Sequence, residues 1–220
     1  MTKQERYDHI IRYFKKNRPT AETELNHADP YELIVSVILS AQCTDKRVNL
    51  ITPALFEAFP TVFDMARVTA EDILPYIKSC SYPNSKANHL SGMSKMLVDK
   101  FKGVVPSDVD LLQKLPGVGR KTANVVASVI FNQPHIAVDT HVFRVAARIG
   151  LTTNAKTPLQ TEMQLIKYIK EELRPIAHHW LILHGRYTCK ARKPLCSQCG
   201  ITTFCKYYNS KKDNSDQISS

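Results

Sequence analysis

Strand signals are nearly missing from this 220-residue chain. It has no Asn-Gly pair to close a tight hairpin and no run of strict apolar–polar alternation, which argues against a β-rich fold. Glycine is scarce, with seven in all, so two in one pentapeptide, Gly117 and Gly119, stand out. No uninterrupted apolar stretch reaches membrane-spanning length; the nearest, Leu33 to Ala41, is broken by Ser36 and Ser40. Met1 to Asn17 mixes Lys3, Glu5, Arg6 and Asp8 through a helical pattern. It lacks both the apolar core of a signal peptide and the acid depletion of a transit peptide. A soluble protein in a reducing, intracellular setting, away from membranes, is the expectation. Acids are also short: 20 Asp and Glu against 30 Lys and Arg leave a formal charge of +10. With a pI near 9.3, that surplus points to an anionic partner, most simply nucleic acid.

What the chain does have is helical punctuation. Asp29-Pro30 precedes an apolar run with Glu32 three residues on; Thr69 is followed by Asp72, and Thr157-Pro158 by Gln160. Each offers a side-chain oxygen to free amides, with proline where a missing N–H costs least. Leu33, Val37 and Ile38, and Leu165, Ile166 and Ile169, then recur at helical spacing. About ten short helices are expected, in one domain or two small ones. The polar tail from Ser210 to Ser220 reads as disordered.

Cys189, Cys196, Cys199 and Cys205 stand in the spacing C-x6-C-x2-C-x5-C. Four thiolates in one short segment can surround a single metal centre. A structural zinc site usually brings two close C-x2-C pairs and here there is one, so an iron–sulfur cluster is placed ahead of zinc and zinc ahead of disulfides. Spacing alone leaves iron and zinc both open. Cys43 and Cys80 fall outside the pattern and are expected to be small buried residues.

Leu111 to Ala123 reads as helix, tight turn, helix. Leu111, Leu112 and Leu115 would face inward, Pro116 would stop the first helix, and the second would start near Val118. A glycine-lined approach to a helix start, where amides lack partners, is a seat for phosphate. Leu115, Gly117, Val118, Gly119 and Arg120 are therefore the expected DNA-contacting set, acting through backbone atoms that position a strand without reading it.

Leu115 to Ala123, Ala137-Val138-Asp139-Thr140-His141-Val142 and the four-cysteine ending together resemble the bacterial endonuclease III family. These are DNA glycosylases with lyase activity in the helix-hairpin-helix superfamily. The resemblance runs from about Leu25 to Cys205 and includes Ser40-Ala41-Gln42 with Thr44-Asp45, Asn84-Ser85-Lys86-Ala87, and His178-His179-Trp180 leading into His184-Gly185-Arg186. It implies an all-α fold in two helical lobes. A helical-barrel domain, 23–134, would carry the hairpin at about 108–131. Residues 1–22 and 135–209 would form a second domain holding a [4Fe–4S] cluster, with the DNA cleft between the lobes. It also implies a monomer acting on duplex DNA with oxidised pyrimidines or abasic sites, in the bacterial cytoplasm at the nucleoid.

The same resemblance puts Lys121 at the nucleophile position and Asp139 at that of the catalytic carboxylate. An amine must be neutral to attack a sugar carbon; burial, or a cation such as Arg120 or Arg144, would supply the free base. Asp139 precedes the helical run Thr140 to Ile149 and suits an N-cap, which would hold the carboxylate in place. Lys190, Arg192 and Lys193, between two cluster ligands, are implied DNA contacts. Gln42 matches the family glutamine that enters the gap left by an extruded nucleotide, and Ser40, Asp45 and His141 are base-pocket candidates. Ser81-Tyr82-Pro83 departs from the family's Gly-Leu-Tyr or Gly-Phe-Tyr, leaving Tyr82 as the expected duplex wedge. Adenine-removing glycosylases share the hairpin and the cysteine spacing but use no lysine nucleophile here and carry a further C-terminal domain. The alternative from another class is a non-catalytic DNA-binding module with a structural or redox-sensing cluster.

Overall fold

The computed structural model describes residues 1–211, and every regular element among them is helical. Helix α1 (Lys3–Asn17) is followed by α2 (Pro30–Leu39), α3 (Asp45–Ala58), α4 (Val62–Ala66) and α5 (Ala70–Ile77). Next come α6 (Pro83–Phe101), α7 (Val109–Leu112) and α8 (Arg120–Phe131). The last three are α9 (Thr140–Ile149), α10 (Pro158–Tyr168) and α11 (Arg174–Tyr187). Residues 206–211 add a terminal helical stretch, in which the Ser210 hydroxyl donates to the Tyr207 carbonyl and the Lys211 amine sits over the Tyr207 ring. The remainder of the tail read as disordered, 212–220, lies outside the described residues.

Helix starts explain much of this layout. Eight of the eleven α-helices begin at a Thr or Asp side chain that accepts an amide hydrogen bond: Thr2, Asp29, Thr44, Thr61, Thr69, Asp108, Asp139 and Thr157. Each such cap contributes about 1 kcal/mol. Helices α6 and α11 instead place Pro83 and Pro175 in the first turn, where a missing N–H is no loss. Of these eleven helices only α8 starts with neither device.

The chain divides into two compact units, Thr23–Gln133 and Met1–Glu22 with Pro134–Ser220. In the first, α2 is apolar on every side; Leu33, Ile34, Val35 and Leu39 have no exposed surface. Such a helix belongs at a core centre, and α3, α6 and α8 pack around it. Lys86, in the first turn of α6, is only 4% exposed. Its amine donates to the carbonyls of Leu39 and Ala41, each at 2.8 Å, a cation placed at the negative end of α2.

The second unit is built on aromatic packing. Phe14 of α1 stacks on Trp180 of α11 with centroids 5.8 Å apart, and the indole N–H donates to the Arg18 carbonyl at 2.7 Å. Val142, Val145, Ala146 and Ile149 form the inward stripe of α9 against this cluster. Gly150 ends α9 in the left-handed region, φ +89°. No helix among the described residues is long and apolar enough to cross a membrane.

Burial, aided by the Arg186 cation, pushes the ring of His179 down from 6.5 to about 4. Between those values the unfolded chain binds a proton that the folded chain refuses. The stability that the neutral ring supports is therefore full above pH 6.5 and falls toward pH 4, by up to about 1.4 kcal/mol per pH unit. Urea melts across that interval should lose this one-proton slope in His179→Gln; an unchanged slope would locate the uptake elsewhere.

Candidate active site, hairpin and cluster site

The hairpin differs from its sequence reading in its limits. Helix α7 ends at Leu112, before Pro116, and α8 starts at Arg120 with Gly119 as its N-cap rather than near Val118. Between them the chain turns tightly, with the Val118 N–H donating to the Leu115 carbonyl at 3.1 Å. Leu115 and Val118 are 2% and 5% exposed, so their side chains anchor the turn and only their backbone can meet a ligand. Leu111 is half-buried and Leu112 fully buried.

The two glycines do different jobs. Gly117 has φ +78°, and a Cβ there would stand 2.8 Å from that of His89; backbone and space both require glycine. Gly119 is extended, and a Cβ would meet nothing within 4 Å. It leaves the start of α8 open: no side chain caps it and the first turn holds no acid. First-turn amides that no side chain caps, the positive end of a helix dipole and exposed Arg120 and Lys121 thus occupy one place. Lys121 is exposed rather than buried.

Asp139 is fixed from both sides. Ile136, Ala137 and Val138 before it are buried, and the Ala137 carbonyl accepts a 2.7 Å hydrogen bond from Nδ1 of buried His178. A carbonyl only accepts, so that nitrogen carries the proton. After it, Oδ1 of Asp139 accepts the N–H groups of His141 and Val142, each at 2.8 Å, and Nδ1 of His141 lies 3.2 Å from Oδ2. The carboxylate is 19% exposed and the His141 side chain 31%. His141 thus steers Asp139 directly, whatever it does for a base.

Arg144 is not a free cation for Lys121. Its guanidinium donates to the carbonyls of Gly185 and Cys189 at 2.8 and 3.2 Å. One turn on, Arg148 donates to those of Lys190 and Ala191 at 2.7 and 2.9 Å. Together they hold the opening of the cluster loop, from which Lys190, Arg192 and Lys193 face solvent; Lys193 has φ +51°. Nothing in the sequence marked these arginines, since their partners are backbone carbonyls some forty positions away.

All four cluster cysteines line one pocket together with Ile149, Ile201 and His184. Nε2 of His184 is 3.8 Å from Sγ of Cys199. No three His, Cys, Asp or Glu side chains among the described residues gather closely enough to hold one ion, while four thiols spread around an apolar pocket fit the corners of a polynuclear cluster. Burial pushes the Cys199 and Cys205 thiols up, so loading the site must displace their protons.

Gln42 and Tyr82 occupy neighbouring turns. Both are exposed and both have positive φ, +53° and +54°. The Ser81 hydroxyl donates to the Gln42 carbonyl. Ser40 spends its hydroxyl hydrogen on the Val37 carbonyl at 2.8 Å, leaving only its lone pairs for a base. Asp45, half-buried, opens α3 behind the Thr44 cap.

Comparison with known proteins matches residues 35–171 to the HhH-GPD superfamily of base excision DNA repair proteins. Residues 189–205 match the iron–sulfur binding domain of endonuclease III, a span that contains Cys189, Cys196, Cys199 and Cys205, and the cofactor is accordingly a [4Fe–4S] cluster. The chain is 49% identical over 201 residues to endonuclease III of Rickettsia felis, covering 91% of this chain and 94% of that protein. Against the Escherichia coli K12 endonuclease III it is 44% identical over 198 residues, 90% and 93% covered. It superposes with a TM-score of 0.88 on a trapped endonuclease III–DNA covalent intermediate, at 43% identity, covering 96% of this chain and 99% of that one. A non-covalent endonuclease III–DNA complex gives the same score at 42% identity, covering 97% and 99%.

Gly117→Ala is expected to lower stability by more than about 1 kcal/mol, the usual cost of a Cβ in left-handed backbone. Gly119→Ala should cost clearly less. Equal losses in chemical denaturation would contradict the separate roles of the two glycines.

Proposed function

Because this chain belongs to the endonuclease III family of HhH-GPD base excision repair proteins, we propose that it excises oxidised pyrimidines from duplex DNA with Lys121 as nucleophile and Asp139 as its carboxylate. The coarser activity is that of a DNA glycosylase with abasic-site lyase action. The observation that carries the residue assignment is the start of α8, which no side chain caps and which sets Lys121 at a positive helix end suited to a DNA phosphate.

The target nucleotide must leave the stack before C1′ can be reached. Gln42 fills the gap it leaves and Tyr82 wedges the step, while Ser40, Asp45 and His141 face the base. The neutral amine of Lys121 then gives its lone pair to C1′ as the glycosidic bond breaks, and the base departs with the bonding electrons and takes up a proton. Asp139 stabilises positive charge on the deoxyribose during this step and helps move protons afterwards. Its two amide donors and the His141 ring hold it as a fixed acceptor. Ring opening gives a Schiff base between Lys121 and the sugar. Loss of a C2′ proton expels the 3′ phosphate and cuts the strand, and water releases the lysine.

The cluster supplies architecture: neither base loss nor elimination needs an electron from outside. Its loop carries Lys190, Arg192 and Lys193 to the phosphates. We assign a monomer working on the nucleoid in a bacterial cytoplasm. A non-catalytic DNA-binding module is not favoured, since a structurally similar chain is a trapped covalent DNA intermediate.

Borohydride trapping on duplexes holding thymine glycol or an abasic site, with wild type and Lys121→Gln, tests the mechanism. A wild-type adduct on both duplexes, absent from the variant, is expected. An adduct on the abasic duplex alone would overturn the assignment to oxidised pyrimidines, and an adduct surviving in Lys121→Gln would overturn the nucleophile. Lys193→Glu should weaken duplex binding and flatten its dependence on salt; unchanged binding removes the loop from the interface.

A further inference from the structure

Two cysteines lie outside the cluster, 37 positions apart in sequence, and the fold brings their sulfurs to 3.7 Å. Cys43 follows Gln42 in the turn between α2 and α3. Cys80 precedes Ser81 and Tyr82 in the turn between α5 and α6. The two turns are already fastened together. Ser81 donates to the Gln42 carbonyl, and the Lys86 amine, one helical turn beyond Tyr82, holds the Leu39 and Ala41 carbonyls. Backbone hydrogen bonds fix each cysteine as well, from the Cys43 N–H to Ser40 and from the Cys80 N–H to Ile77.

The two thiols are not equivalent. Cys80 is 5% exposed, whereas Cys43 is half-buried and within reach of solution. Burial, the hydrogen bond to Cys43 and the nearness of that second thiol push Cys80 up to about 11, against the opposing charges of Lys86 and Arg47. An accessible sulfur beside a buried, protonated one is the arrangement of an attacking thiol and its resolving partner.

We propose that Cys43 and Cys80 form a reversible disulfide site that ties the Gln42 turn to the Tyr82 turn. The oxidant is a low-molecular-weight disulfide of the glutathione type. The Cys43 thiolate attacks one of its sulfurs, the S–S bond breaks, and one glutathione thiolate leaves, giving a mixed disulfide. Cys80 loses its proton and attacks the Cys43 sulfur; the second glutathione leaves and takes a proton. The protein pair gives up two electrons and the oxidant becomes two thiols. Closure brings the sulfurs to ~2.05 Å, which draws the turns together and fixes their spread. The effect on DNA rests on Gln42 and Tyr82 being the groups that enter the duplex, and they can no longer adjust independently.

The test uses the full-length, cluster-loaded protein treated with oxidised glutathione, with cluster absorbance followed throughout. Peptide mapping without reductant should find a Cys43–Cys80 cross-link, reversed by dithiothreitol and missing from Cys43→Ser. Affinity for a duplex with a stable abasic analogue should fall about fivefold in oxidised wild type, close to 1 kcal/mol, and stay unchanged in oxidised Cys43→Ser. Free thiols at both positions, or a mixed disulfide persisting at Cys43 with Cys80 free, would overturn the site. A complete cross-link with unaltered affinity would support the disulfide and overturn the placement of Gln42 and Tyr82 in the DNA interface.

Discussion

An amide hydrogen at the start of a helix must find a partner, and this protein is made of many short helices. Each start exposes amides with no place in the helical ladder, and most are answered by a threonine or aspartate that the chain supplies on schedule. Asp139 shows the rule bent to another purpose. It caps α9 as Thr157 caps α10, yet it is also the carboxylate proposed to work on the sugar. Capping supplies the rigidity that catalysis requires, at no further cost in side-chain freedom. The exception at α8 is equally informative, because a helix start that no side chain caps and no acid faces favours an anion.

Local chemistry was readable in the sequence. Asp29, Thr69 and Thr157 cap where their spacing to Glu32, Asp72 and Gln160 placed them, and Thr140 to Ile149 is helical as its pattern indicated. Those signals act within four residues, where sequence distance and spatial distance coincide. The hairpin was recognised but its ends were misplaced. Pro116 looks like a helix stop, but the turn had begun at Gln113, and the extended backbone of Gly119 delayed α8 by two residues.

What stayed hidden was settled by distant partners. Lys86 reads as one more basic residue until its amine is found between the carbonyls of Leu39, at the end of α2, and Ala41 just beyond it. Arg144 reads as a spare cation but is spent on Gly185 and Cys189. Nothing in the sequence tied His178 to Asp139, and it holds the carbonyl two residues ahead of that carboxylate. In each case a side chain satisfies a backbone group far along the chain, a bond with no sequence periodicity to betray it. The cluster cysteines were the opposite case: their spacing named a metal centre at once, but the choice between iron and zinc needed the likeness to the iron–sulfur domain of endonuclease III.

The unguarded start of α8 has a consequence for how such a protein moves along DNA. A grip made of main-chain amides is identical at every phosphate and carries no group that titrates near neutral pH. No single side-chain replacement can delete it; only a change of backbone course can. A hold that is blind to sequence lets a protein shift from one phosphate to the next without rebuilding its contacts. If the hairpin proposed above is the anchor, discrimination between intact and damaged bases resides in whatever receives the extruded nucleotide.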